Sequence, residues 1–185
     1  MLVFLVTGPT GAGKSSVARR LQQRGHQAIS LDSDPLLCAW TDAAGQPVVR
    51  PAEPDMAWLS LHRWTWDANR LDGIIAEAAG RRVDVLWLCG YAANALQLVD
   101  RFDLVFLLTI SRDTMIRRLR SRSPGHDFGR TEETLSAAST YYREFVEAWR
   151  RHGTVPIDAG QDLDQVVEDL LLAALEAALD LPDRH

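Results

Sequence analysis

Leu2-Val3-Phe4-Leu5-Val6-Thr7-Gly8-Pro9-Thr10-Gly11-Ala12-Gly13-Lys14-Ser15 is the stretch on which the reading of this sequence turns. Residues 2–7 are aliphatic, aromatic or β-branched and stop at Gly8-Pro9, the signature of a short buried strand. From Lys14 onward the apolar positions fall at Val17, Ala18 and Leu21, a helical spacing that Gly25 ends. Between strand and helix the residues fit G-x-x-x-x-G-K-[ST]. Glycines let such a loop turn its backbone N–H groups inward, and the helix N-terminus adds partial positive charge, so the loop cradles an anion. Lys14 is then placed for the β- and γ-phosphates of a nucleoside triphosphate, and the Ser15 hydroxyl for Mg²⁺. The candidate nucleotide-binding residues are Gly8, Thr10, Gly11, Ala12, Gly13, Lys14, Ser15 and Ser16.

Composition narrows the rest. A chain of 185 residues with 46% hydrophobic content reads as one globular domain spanning 1–185 and is too apolar to be disordered. Twenty basic against 25 acidic residues leave a net charge of −5, which argues against a general nucleic-acid binder. Nineteen of those 20 basic residues are arginine and the remaining one is Lys14, so the one lysine sits where the phosphate chemistry needs it. No run approaches the ~18 apolar residues of a membrane span. Residues 1–6 have no basic leader and no cleavage site, so no signal peptide is expected. Cys38 and Cys89 are far apart and read as reduced thiols of a cytoplasmic protein, and the five histidines form no zinc-binding spacing.

Further strands are expected at residues 27–31, 83–89, 103–110 and 155–158. Helices are expected at 14–24, 67–79 with Gly80 as its cap, 92–99, 111–122, 131–151 and 163–179. Residues 36–64 are mixed, with turns at Gly45, Pro47, Pro51 and Pro54 and a short helix near 56–63. Five strands alternating with helices imply a parallel sheet covered on both faces. A guanine-reading N-K-x-D motif requires a second lysine, which the chain does not have. Motor ATPases usually end a strand in Asp-Glu; here the candidate strands end in Leu88-Cys89-Gly90 and Leu107-Leu108-Thr109. A small kinase remains.

Three segments resemble the small P-loop kinases, the group of shikimate, gluconate and nucleotide kinases and chloramphenicol phosphotransferase. They are the phosphate loop; Leu31-Asp32-Ser33-Asp34, similar to the D-x-D of shikimate kinases; and Arg118-Leu119-Arg120-Ser121-Arg122 with Gly125-His126-Asp127-Phe128, which looks like the lid stretch of gluconate kinases with one residue inserted. The resemblance implies a three-layer α/β fold, a five-stranded parallel sheet of order 2-3-1-4-5, an acceptor-binding insertion at 36–70 and a lid at 121–132. The third strand departs from shikimate kinases in ending on a single Gly90.

The resemblance also assigns roles. Asp32 would hold Mg²⁺ with Ser15, and Asp34 would orient the acceptor hydroxyl and take its proton. Asp34 before Pro35 also reads as a cap for the next helix. Arg118 and Arg122 share a helix face and suit the adenine and phosphates, and Arg130 suits a closing lid. Trp40, Arg63, Gly90 and Tyr91 are the remaining substrate-binding candidates, with Arg50, His62 and Asn94 nearby. Trp40, Trp58, Trp64 and Trp66 either line an acceptor pocket or form the core of a small lobe. The expected activity is ATP- and Mg²⁺-dependent transfer to a hydroxyl of a nucleoside, a sugar or sugar acid, or an antibiotic-like metabolite. A zeta-toxin-like kinase of nucleotide sugars and a nucleotide-binding regulatory module are the alternatives. ATP against GTP, the acceptor and the oligomeric state stay open.

Overall fold

The computed structural model describes residues 1–121 and 131–179. Its centre is β1 (Leu2–Thr7), whose apolar run leads through the phosphate loop into α1 (Lys14–Gln23) and β2 (Gln27–Ser30). A single tight turn, Leu31–Ser33, follows. The next segment holds β3 (Cys38–Thr41), β4 (Pro47–Val48), α2 (Met56–Leu61) and β5 (Arg63–Trp66). Then come α3 (Ala68–Gly80), β6 (Val85–Cys89), a tight helical turn over Ala95–Arg101, and β7 (Leu104–Thr109). α4 (Arg112–Arg120), α5 (Glu132–Arg150), β8 (Val155–Asp158) and α6 (Leu163–Leu179) complete the order.

The main sheet is parallel, in the order β2-β6-β1-β7-β8. Counted along this sheet alone, that is the expected 2-3-1-4-5. Alternation along β1 explains the three layers: successive side chains point to opposite faces, and both faces are apolar. Phe4 and Val6 join Trp87, Phe106 and Leu108 under α1, α4 and α6, where Leu21, Met115 and Leu170 are buried. Val3 and Leu5 join Leu86, Leu88 and Leu107 on the opposite face, against Leu71 and Ile74 of α3 and Trp149 of α5. Because the strand order reverses at β1, a crevice opens at its carboxyl end, where the phosphate loop lies.

The segment expected to be mixed is a second, antiparallel sheet of order β4-β3-β5. Trp40 faces Trp64, and Cys38 faces Trp66, across β3 and β5. Strands of two to four residues are too short to show a period, and the aromatic residues that pair are distant in sequence. The expected helix at 67–79 extends through Gly80, and Arg82 rather than a glycine takes the positive φ (56°) beyond it. The expected helix at 92–99 is the tighter turn at Ala95–Arg101. Local caps behave as the sequence requires: Asp55, Asp67, Ser111 and Thr131 each accept from a backbone N–H of the first helical turn. No helix among the described residues is long and apolar enough to cross a membrane.

Phe106 is fully buried on β7, with its ring edge-on to Phe4 at 5.7 Å and tilted against Trp87 at 5.7 Å. Phe106→Ala removes contacts on both sides of that ring and is expected to cost about 3–5 kcal/mol. Urea denaturation followed by circular dichroism reads the shift in midpoint.

Candidate active site

The loop after β1 packs too tightly for any side chain at its first position. A Cβ on Gly8 would stand 2.8 Å from the Leu108 carbonyl oxygen and 2.9 Å from the Leu108 Cβ. Gly8 therefore lets the loop lie directly on β7. Gly13 caps α1 in the left-handed conformation and supplies no side-chain cap. The first N–H groups of the helix thus point outward into the crevice.

Lys14 is only 8% exposed. Its Nζ donates to the Gly8 carbonyl at 2.9 Å and the Pro9 carbonyl at 3.2 Å, which holds the ammonium against the loop. It lies 6.0 Å from the centroid of the Tyr91 ring. Ser15 and Ser16 are exposed on the first turn of α1, and the Ser15 Oγ accepts from Ser30 Oγ at 3.2 Å. Arg118 reaches back from α4 to the carbonyls of Gly11 (3.4 Å) and Ala159 (2.9 Å), tying the loop to the end of β8.

These groups open onto one cavity of about 940 Å³. Thr10, Gly11, Ala12, Gly13, Lys14, Ser15, Ser16, Asp32, Trp40, Tyr91 and Arg118 all line it. Asp32 is an exposed carboxylate on the turn after β2; its Oδ1 accepts from the Tyr91 N–H at 3.1 Å. Its Oδ2 takes no hydrogen bond among the described residues. Gly90 is buried beneath the cavity wall, where a Cβ would stand 2.8 Å from Leu31 Cβ and 2.9 Å from Trp66 Cζ2. Its role is close packing of β6 against that turn.

The structure separates the two aspartates. Asp34 does not line the cavity. Its Oδ1 accepts from the N–H groups of Leu36 (2.8 Å) and Leu37 (3.2 Å), and its Oδ2 from Arg70 Nε (3.1 Å) and Nη2 (2.9 Å). The next element is β3 and not a helix, so Asp34 closes a turn rather than capping a helix, and its other oxygen is held by Arg70. The backbone N–H of Leu36, followed by the Arg70 guanidinium, holds the Asp34 carboxyl below the usual aspartate range. Arg63 is likewise outside the cavity, with Nη1 donating to the carbonyls of Ser60 (2.8 Å) and His62 (2.9 Å). Arg122 and Arg130, with most of the expected lid, lie outside the described residues.

The tryptophans divide. Trp66 is 3% exposed and belongs to the core. Trp40 and Trp64 are half-buried and line the cavity. Trp58 packs edge-on against Trp40 at 5.0 Å and stacks on His62 at 4.2 Å. Asn94 is occupied by the Trp66 backbone, accepting from its N–H and donating to its carbonyl. Sequence reading missed Tyr141 and Phe145 of α5 and Gln161 beyond β8, all of which line the cavity. The i, i+4 spacing of Tyr141 and Phe145 was the available signal, but it is indistinguishable from a core stripe. Burial raises the Tyr91 phenol above its ordinary value, pushes the Cys38 thiol up to about 12, and raises the Cys89 thiol as well. Both cysteines are buried.

A parallel sheet with a phosphate loop at its switch point and a cavity running past it define a P-loop nucleotide-binding fold. Residues 5–135 match the AAA domain family, and the chain belongs to it. The fold is shared with deoxyadenosine kinase from M. mycoides, solved with bound dATP, at 14% identity and a TM-score of 0.50 over 95% of this chain and 100% of that one. It is also shared with a gluconokinase from Sinorhizobium meliloti 1021, at 20% identity and a TM-score of 0.54 over 97% of this chain and 94% of that one. No curated protein sequence matches significantly.

Because the Asp34 carboxyl titrates lower when folded than unfolded, its contribution is present above the ordinary aspartate range and is lost as pH falls through the lowered value. Asp34→Asn keeps an acceptor for Leu36 and Leu37 but ends the ion pair with Arg70. Its urea midpoint should fall less than wild type's between pH 6 and about pH 3, spanning the ordinary aspartate range. Its turnover should stay within about 3-fold of wild type, an energy difference below 1 kcal/mol.

Proposed function

We propose that the protein is a kinase that moves the γ-phosphoryl group of ATP to a hydroxyl of a small molecule. The observation that carries this reading is the placement of Lys14, the helix N-terminus and the Asp32 carboxylate on one cavity that continues beyond the phosphate loop. A module that only bound a nucleotide would have no use for the additional wall. The names of the two structural neighbours, a nucleoside kinase and a sugar-acid kinase, fit the same reaction class.

Phosphoryl transfer asks the protein for positioning and charge compensation more than for covalent chemistry. The loop N–H groups bind phosphate oxygens, and Lys14 meets the bridge between the β- and γ-phosphates. Its carbonyl partners in the loop hold the ammonium in place before the nucleotide arrives. Arg118 braces the loop from the far side. The Ser15 hydroxyl and the Asp32 carboxylate are hard oxygen donors on the same cavity wall, the set that magnesium takes. When bound, Mg²⁺ would offset charge on the phosphates. With Asp34 occupied by Arg70, the acceptor-orienting role falls to Asp32. Tyr91 N–H fixes one of its oxygens, and the other has two lone pairs that the acceptor hydroxyl and Mg²⁺ would share.

Lys14→Ala should lower kcat/KM by about 10²–10³-fold, the usual effect of removing one charge-stabilising donor. Asp32→Asn should keep ATP affinity within a few-fold while turnover falls by at least about 10²-fold. Coupled ADP-release assays with equilibrium dialysis of ATP separate the two effects. Normal turnover in Lys14→Ala would remove the site assignment, and normal turnover in Asp32→Asn would remove its acceptor role.

A further inference from the structure

We propose that the acceptor is a planar aromatic alcohol, a ring carrying its reacting hydroxyl on a short arm, and not an aliphatic polyol or sugar acid. This rests on the kinase reading above and names its substrate class.

The position of Lys14 orients the cavity. A phosphate-loop lysine meets the β- and γ-phosphates, and its Nζ lies toward Tyr91. The transferred group therefore faces Tyr91, and the rest of the nucleotide runs the other way, toward Arg118 and Ala159. The wall beyond Tyr91 belongs to the acceptor.

That wall is aromatic. Trp40 and Trp64 are directly opposed on β3 and β5, with ring centroids 5.8 Å apart. Tyr91 meets Phe145 edge-on at 5.3 Å. All four line the cavity. Trp58 backs Trp40, so the platform is rigid before a ligand arrives. Flat rings gain from stacked or edge-on contact with such side chains. Polyol hydroxyls gain nothing there and lose hydrogen bonds to water.

Beyond the hydroxyls of Ser33, Tyr91 and Tyr141, polar side chains at this end are few. Arg63, Asn94 and Arg70 are committed to partners elsewhere. Asp32 is taken up by the reacting hydroxyl and Mg²⁺. Arg50 lines the cavity and makes no hydrogen bond or ion pair among the described residues, so it is available to a carbonyl or acidic substituent on the ring.

The test uses the whole chain with two panels. Adenosine, cytidine, thymidine and 4-(hydroxymethyl)benzoate represent alcohols that carry a planar aromatic ring; gluconate, glucose and glycerol represent polyols without one. Tryptophan emission and equilibrium dialysis without ATP read binding, and mass spectrometry with Mg-ATP reads phosphoester formation. At least one planar compound should bind saturably, quench tryptophan emission and be phosphorylated with a higher kcat/KM than any polyol. Trp40→Ala should then raise its KM about 10-fold, the scale of one lost ring stack, with kcat within about 3-fold. Trp40→Phe should recover most of the loss, which a folding defect would not allow. Preferential phosphorylation of a polyol overturns the inference and leaves the kinase reading standing, as does failure of every planar compound to bind. Planar compounds that bind but are never phosphorylated overturn the kinase reading and leave the aromatic site.

Discussion

The contact between Gly8 and Leu108 is the constraint on which the rest of the structure depends. No side chain fits between the loop and β7 there, so the phosphate loop lies on the centre of the sheet rather than above it. That close approach sets the height of α1 and the direction of its N-terminus. It also puts the Gly8 carbonyl where the Lys14 ammonium can bind it. One backbone contact thereby couples the parallel sheet to the electrostatics of the crevice. The sheet order does the remainder, by placing β6 on one side of the loop and β7 with β8 on the other.

Two functional walls follow from those two sides. The β7 and β8 side is tied down by Arg118, which bonds the loop and the end of β8 together. The β6 side is built by the small antiparallel sheet, held to the main domain by the Asp34–Arg70 pair and the bonds of Asn94 to Trp66. Asp34 thus serves the site indirectly: it fixes the segment that carries Trp40. Surface ion pairs of this kind add little stability on their own. Here the pair also shares its carboxylate with two backbone N–H groups, which gives it a defined geometry.

The parts legible in the sequence were those with local signals. The strand–loop–helix unit at Leu2 to Leu21 carries both a periodicity and a motif, and Ser111 and Thr131 announce their helices by capping. The parts that were not legible depend on partners far along the chain. Asp34 looked like a second catalytic carboxylate because its partner Arg70 is 36 residues away. The sheet at Trp40 and Trp64 was hidden by strands too short to show alternation. Tyr141 and Phe145 reach the cavity only because α5 packs against α2 and β7 and sets Phe145 on Tyr91, and nothing local to α5 announces that packing.

The central claim is phosphoryl transfer to a small-molecule hydroxyl, and ³¹P NMR of the wild-type chain with Mg-ATP and the mixed acceptors tests it most directly. A phosphomonoester resonance should grow in step with ADP, one ester formed for each ATP consumed. ATP consumed to inorganic phosphate alone, or ATP bound with no ester formed from any acceptor, would contradict it.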